Sequence, residues 1–256
     1  MTTASPLPIP TQERFSLTRD EVANFHRDGF LGPYAACAPE AMDEIRGQLD
    51  REVFTRKGPA GTTEQCRHLD SALVWELCRS SAIVDRVVSL LGDDVVLWRS
   101  NFFDKGPGAK EVPWHQDVNY WPIVPDLNVS AWLAITEANV ENSCVQVIPG
   151  SHRSVVPHKK VTGDKMFGEE ADLSCVDTSK AIHMELKPGE FFLFTEKLLH
   201  FSEPNRSNKR RCGLAIRMTV PFVKVEHEKL FAKHKNLMLH GADRMGFNLI
   251  AEPPAE

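Results

Sequence analysis

The sequence predicts a mainly β (α+β) chain in which a layer of helices precedes an antiparallel barrel or double-sheet jelly roll. Three observations predict it. Apolar residues recur at helical spacing only before about residue 92. From Asp93 onward, short alternating segments take over at regular spacing. Turn signals such as Gly106-Pro107-Gly108, Pro149-Gly150 and Pro188-Gly189 separate those segments. Many short antiparallel strands bury their apolar faces by closing into a barrel or by packing as two sheets.

The elements follow in order. Residues 1–15 are polar and proline-rich and read as a flexible tail, and 16–256 reads as one domain. Within it, 16–92 is mainly helical, 93–222 is the β core and 223–256 is an extension of mixed helix and coil. Thr18 caps a first helix over about 19–27, with Val22 and Phe25 on one stripe. A second covers 39–54, with Pro39 in its first turn and Met42, Ile45, Leu49 and Val53 at helical spacing. A Gly/Thr-rich loop spans 57–65. Two further helices cover 72–79, which Asp70 or Ser71 caps, and 83–91, which Gly92 stops. Strands are expected at 95–98, 101–103, 129–135, 144–148, 181–186, 191–194 and 211–220. Residues 155–180 form a polar insert, a lid or a plain surface loop.

Composition excludes several classes. Apolar residues at 42% support a core, and 25% charged residues match an ordinary soluble protein. The net charge of −5 gives no reason to expect nucleic acid, and the basic run at 206–211 reads as a solvated turn. The six cysteines form no C-x-x-C pair, so free thiols in a reducing cytosol are expected. No apolar run approaches the roughly 20 residues of a membrane span. A cytoplasmic monomer or homodimer acting on a small molecule is the expectation.

The chemistry-bearing pattern is His115-Gln116-Asp117, followed 85 residues later by His200 and eleven after that by Arg211. A histidine and a carboxylate two apart, with a distant histidine, form the facial triad of non-haem Fe(II). The three-letter pattern occurs three times: His26-Arg27-Asp28, His68-Leu69-Asp70 and His115-Gln116-Asp117. In a strand, residues i and i+2 share a face. In a helix they diverge, which removes His26-Asp28, and capping is the plainer role for Asp70. Such an iron leaves three positions open, two for a 2-oxo acid and one for dioxygen. Asp117 and His115 are expected from one strand end, and His200 from another across the barrel mouth.

On the last strand, Arg211, Gly213, Ala215 and Arg217 share a face, and the small residues leave interior space. A guanidinium buried there requires an anion, and its fork fits the far carboxylate of 2-oxoglutarate. The alternatives are an internal salt bridge for Arg211 or Arg217, and a zinc site in place of iron.

Phe103-Asp104-Lys105-Gly106-Pro107-Gly108, Pro113-Trp114-His115-Gln116-Asp117, Tyr120-Trp121-Pro122, Ala131-Trp132, Glu141-Asn142-Ser143-Cys144, Ile148-Pro149-Gly150-Ser151-His152, His200-Phe201-Ser202 and the run from Arg211 to Arg217 occur in this order. Together they resemble the phytanoyl-CoA dioxygenase family of Fe(II)/2-oxoglutarate oxygenases, over about residues 18–221. The resemblance implies a double-stranded β-helix (jelly-roll, cupin-like) with an N-terminal helical layer. It implies metal ligation and catalysis by His115, Asp117 and His200. It implies 2-oxoglutarate binding by Arg211, assisted by Ser202, with Trp132 lining the pocket and Asn101 contacting co-substrate or substrate. The segment 239–247 resembles the tail of a bacterial subgroup that includes chlorinating enzymes. Those replace the acidic ligand with Ala or Gly, whereas this chain keeps Asp117, which points to a hydroxylase.

The expected activity is hydroxylation of an unactivated C–H bond in a small amino-acid-like or other anionic metabolite, with Fe(II), 2-oxoglutarate and O2, giving succinate and CO2. Competing outcomes of the same iron chemistry are desaturation, cyclisation and epimerisation. A non-catalytic binding protein and a zinc hydrolase are the rivals from other classes. Asn119, Arg217, His68 and Arg67, with Arg99 and Arg153, are candidate substrate contacts.

Overall fold

The computed structural model describes residues 15–163 and 165–255. Helix α1 (Arg19–Asp28) starts at a capping box. The Thr18 hydroxyl accepts from the Glu21 N–H at 3.2 Å, and the Glu21 carboxylate accepts from the Thr18 N–H at 2.8 Å. The helix stops at Gly29, which takes a left-handed φ of 85°. Strand β1 (Phe30–Ala35) and helix α2 (Pro39–Gln48) follow. The helix expected to reach residue 54 instead loosens into a π-helical segment, Leu49–Val53, which still buries Leu49 and Val53. Ser71 caps α3 (Ala72–Cys78), because Asp70 is committed to Arg67 and Arg56. Helix α4 (Ser81–Leu91) completes the helical layer.

The strands are β2 (Val95–Lys105), β3 (Val112–His115), β4 (Ile123–Val124), β5 (Val129–Ala134), β6 (Val145–Val147), β7 (His158–Lys160), β8 (Glu169–Ala171), β9 (Ile182–Met184), β10 (Glu190–Thr195), β11 (His200–Ser202), β12 (Arg211–Thr219), β13 (Lys224–Val225) and β14 (Leu237–His240). A six-stranded antiparallel sheet runs β1-β10-β5-β12-β2-β14, and a four-stranded one runs β3-β11-β6-β9. The alternation seen in the sequence decides the layers. Phe191, Leu193, Leu133, Leu214 and Ile216 pack on the helices, in one core with Met42, Val74 and Ile83. Phe192, Phe194, Trp132, Ala134 and Ala215 face the other way, against Val145, Val147 and Met184 of the smaller sheet. The chain is thus mainly β, two antiparallel layers with helices outside one of them.

Four expectations change. Segments 95–98 and 101–103 are one strand, β2, because it pairs with β12 over almost its whole length. The extension from 223 holds strands as well as a 3-10 turn. Its β14 covers the open edge of β2, pairing Leu237 with Leu97 and Met238 with Val96. Phe15, assigned to the tail, is buried in the helical core, and residues 1–14 lie outside the described ones. The insert at 155–180 contains the antiparallel pair β7–β8. Among the described residues, no helix is long and apolar enough to cross a membrane. The basic run forms the turn before β12, and its Arg210 is paired with Asp50 and Asp104.

Candidate metal and anion site

His115 ends β3, and Gln116 stays extended with φ −119° and ψ 129°. Asp117, opening a 3-10 turn, therefore returns to the face of His115. His200 does not come from across a barrel mouth. Strand β11 is the immediate neighbour of β3, and His200 pairs directly with His115. Their rings lie 4.0 Å apart. One side-chain donor from each of His115, Asp117 and His200 falls within 4.8 Å of the others.

The hydrogen bonds set the tautomers. His115 Nδ1 lies 2.8 Å from the Pro113 carbonyl, and His200 Nδ1 lies 2.9 Å from the Leu198 carbonyl. A carbonyl only accepts, so each Nδ1–H donates and each Nε2 keeps its lone pair. The two Nε2 atoms stand 3.8 Å from opposite oxygens of Asp117. Burial, and then the neighbouring His200, holds the His115 pKa well below the usual histidine value, so its imidazole is neutral. Asp117 Oδ2 is buried with no hydrogen-bond partner. A buried carboxylate oxygen left bare beside two imidazole lone pairs fits a cation, and this mixed N/O set fits divalent iron.

A pocket with about 420 Å³ of empty space, part of it open to solvent, starts at these three side chains and is also lined by Trp132, Ser202, Arg211 and Arg217. Arg211 is buried, its Nε donates to the Ser143 carbonyl at 2.9 Å, and its guanidinium lies 5.3 Å from the Trp132 ring. Burial pushes its pKa down to about 10, so it stays charged. Among the described residues neither Arg211 nor Arg217 has a carboxylate within 4.0 Å, which disfavours the internal salt bridge. The interior space left by Gly213 is filled by Trp132, whose indole would lie 2.1 Å from an added Cβ. Gly213→Ala is therefore expected to cost about 1–3 kcal/mol through overpacking. The guanidinium chloride midpoint checks this.

Two buried residues were missed by sequence reasoning. Lys105 pairs with Arg211 across β2 and β12. Its ammonium donates to Ser202 Oγ at 2.8 Å and to the Glu203 carbonyl at 2.7 Å, with Ser143 Oγ at 3.1 Å also in reach. Ser202 therefore accepts from Lys105, and its own O–H is left to point at an anion. Burial and the Arg211 charge push Lys105 down to about 7. Gln116, between the two candidate ligands, points away from them. Its amide donates to the Ser154 and Lys197 carbonyls at 2.8 and 2.6 Å and accepts from the Val156 N–H at 2.9 Å. It ties the insert to the site, and the insert's Phe167 meets the His115 ring edge-on at 4.8 Å. A lysine in a strand-forming segment and a polar residue between two candidate ligands were the available signals.

The expected substrate contacts divide. Arg217 lines the cavity, while Arg99 and Asn101 line a second chamber beside it. Arg67 and His68 line neither. Arg67 is buried in a knot with Asp70 and the carbonyls of Val53, Arg56 and Thr63, and His68 bonds Ser100 Oγ at 2.7 Å. Both hold the 57–70 loop against the fold. Asn119 faces His158 of the insert, and Arg153 donates to the Arg27 carbonyl at the surface.

Known proteins share this fold and sequence pattern. The structure of CytC3 with Fe(II) and alpha-ketoglutarate superposes with a TM-score of 0.73 at 29% identity, covering 93% of this chain and 94% of that one. A probable phytanoyl-CoA dioxygenase of Caenorhabditis elegans is 29% identical over 192 residues, 70% of this chain and 61% of that protein. Ectoine dioxygenase of Nocardia farcinica is 29% identical over 178 residues, 59% of this chain and 58% of that protein. The chain spans about half the length of the first curated relatives it matches. The phytanoyl-CoA dioxygenase (PhyH) family model matches residues 25–213, and the chain belongs to that family of Fe(II)- and 2-oxoglutarate-dependent oxygenases.

Proposed function

We propose that the protein hydroxylates a C–H bond of a small metabolite, using Fe(II), 2-oxoglutarate and O2 within a double-stranded β-helix. The observation that carries this is the cluster of His115, Asp117 and His200, with both imidazoles held as Nε2 donors and Asp117 Oδ2 bare. These three residues would hold the iron. The iron would supply activation of dioxygen, the oxidant, with one oxygen atom going to succinate as CO2 leaves 2-oxoglutarate and the other to the substrate.

The chain's own residues bind, orient and exclude water. Arg211 takes the far carboxylate of 2-oxoglutarate in bidentate fashion, at the end of the cavity that Trp132 walls. Ser202 donates its O–H to the same carboxylate because Lys105 occupies its lone pair. The insert, tied down by Gln116 and capped by Phe167, covers the His115 side and keeps the reacting atoms from bulk solvent. No side chain has to serve as a general base. The retained Asp117 occupies a position that would otherwise be open to halide, which supports oxygen insertion.

The test is anaerobic titration with Fe(II) and 2-oxoglutarate, followed by oxygen uptake against a panel of metabolites. Succinate formed in step with a product 16 mass units heavier, the mass of one oxygen atom, is the expected result. Activity that needs neither oxygen nor 2-oxo acid would replace the reading with a hydrolytic one.

Lys105 adds a pH dependence. Free Lys105 titrates at about 7, and a carboxylate seated beside Arg211 favours the charged form, so binding above that pH takes up a proton. The affinity for 2-oxoglutarate is expected to be level below about 7 and to fall as pH rises beyond it. Lys105→Met should flatten that fall and weaken binding about tenfold, because Ser202 loses the charged donor that orients it and the anion loses a nearby positive charge. Calorimetry with Mn(II) in place of iron reads both.

A further inference from the structure

Next to the inner cavity lies a chamber of about 770 Å³, lined by Gln65, Arg99, Asn101, Tyr120, Phe167 and Arg217 among others. Phe103, Asp117 and Arg217 line both spaces, so the outer one reaches the candidate metal-binding carboxylate. A third space of about 600 Å³ shares Gln65, Arg99 and Tyr120 with it. The outer chamber is therefore the approach to the site, and its charge selects what approaches.

That charge is positive and unmatched. Arg99 and Arg217 are register partners on β2 and β12, so two guanidinium groups start from adjacent backbones and enter one chamber. Arg217 is 6% exposed, and its Nε is buried with no hydrogen-bond partner. Its guanidinium lies 4.8 Å from the Trp121 ring and 5.9 Å from Phe103, which orients it without satisfying its N–H groups. The third cation nearby, Lys229, is already met by Glu226 at 2.6 Å. Among the described residues, Asp117 is the one carboxylate lining these spaces, and its charge belongs to the metal. Two like charges placed together in a partly dry pocket destabilise the empty protein, and an arriving anion removes that cost.

A second unpartnered group stands beside them. Asn101 follows Arg99 by two residues on the same strand face, and its side-chain amide oxygen is buried without a donor. It requires an N–H or O–H.

We propose that Arg99 and Arg217 form the substrate's anion subsite, taking a carboxylate, phosphate or phosphonate group, while Asn101 accepts from an amine or hydroxyl of the same molecule. The substrate class is thus a small oxyanion that also carries a hydrogen-bond donor. This rests on the reading of the inner cavity as the 2-oxoglutarate site. It explains why two arginines are set apart on β12: Arg211 serves the co-substrate and Arg217 the substrate.

Methylphosphonate is a suitable probe. With Mn(II) at the metal site and 2-oxoglutarate in saturating excess, the inner arginine is filled. A phosphonate held by Arg99 and Arg217 then sits close to a paramagnetic ion. Its phosphorus relaxation is expected to rise saturably and to be absent with Mg(II). Arg99→Gln should weaken the effect about ten- to a hundredfold and leave 2-oxoglutarate affinity unchanged, as removal of one charge-assisted contact requires. Arg99→Lys should restore part of it. Arg99 is partly exposed, so both variants are expected to fold, which circular dichroism checks. The subsite is overturned if saturating 2-oxoglutarate abolishes the relaxation, if no relaxation occurs while 2-oxoglutarate binds, or if Arg99→Gln leaves it intact. Failure of Mn(II) or 2-oxoglutarate to bind, read separately by electron paramagnetic resonance and calorimetry, would instead remove the oxygenase reading. In that case the phosphonate shift titrated into the metal-free chain still reports whether Arg99 binds an oxyanion.

Discussion

Asp117→Ala is expected to abolish substrate-dependent succinate formation and to weaken metal binding by more than about a hundredfold. Loss of a group that merely orients a ligand costs 10- to 100-fold, and loss of the carboxylate itself should exceed that. The metal-free variant should be about as stable as the parent. Alanine removes the cost of a buried, unpartnered carboxylate oxygen but leaves buried Arg217 without its nearby negative charge, and the two effects oppose each other. The two measurements separate function from folding: metal content and succinate yield should collapse while the denaturation midpoint holds. His200→Ala should behave likewise in metal binding. Retained turnover with added iron in either variant would defeat the ligand assignment.

Arg211→Gln is expected to raise the KM for 2-oxoglutarate by roughly 30- to several-thousand-fold. Truncating one partner of a buried, hydrogen-bonded charge pair costs about 2–5 kcal/mol, at 1.4 kcal/mol per tenfold. Much of kcat should return when 2-oxoglutarate is raised, because the proposed contact is with the far carboxylate and not with the reacting atoms. Substrate affinity at Arg99 should not move. A fall in kcat with an unchanged KM would mean that Arg211 shapes the fold around Trp132 instead of binding the co-substrate. Steady-state kinetics in both substrates decides between these outcomes.

Much of this was legible in the residues because local geometry discriminates. The three His-x-Asp triplets differ only in their surroundings. A strand end presents residues two apart to one face, while helix α1 leaves His26 exposed and Asp70 is drawn into an ion pair. Strands β5 and β12 are buried at every position and β10 at all but its ends, so the residues marked them as strands without saying which side chains meet the helices and which turn inward. What depended on non-local pairing was not legible. No spacing rule says that β11 lies beside β3, so the sequence suggests His200 opposite His115, whereas the two are neighbours. Strand β14 was missed for the same reason, since its partner β2 lies about 140 residues earlier. Arg67 and His68 look like pocket residues in a string of letters. Their buried hydrogen-bond knot exists only once the 57–70 loop has closed. Lys105 sits in the run Phe103–Gly108, and its role emerges only from the carbonyls of Ser202 and Glu203, about 100 residues away.

The placement of His115 and His200 on neighbouring strands has a consequence for assembly. The two imidazoles meet only after 84 intervening residues have been threaded into both sheets, so the unfolded polypeptide has no comparable chelate to offer. Metal added to a refolding chain should therefore hasten nothing early, yet it should slow the return to the unfolded state. The ion acts as a late clasp, and loss of iron should register as shortened native lifetime before it registers as altered shape.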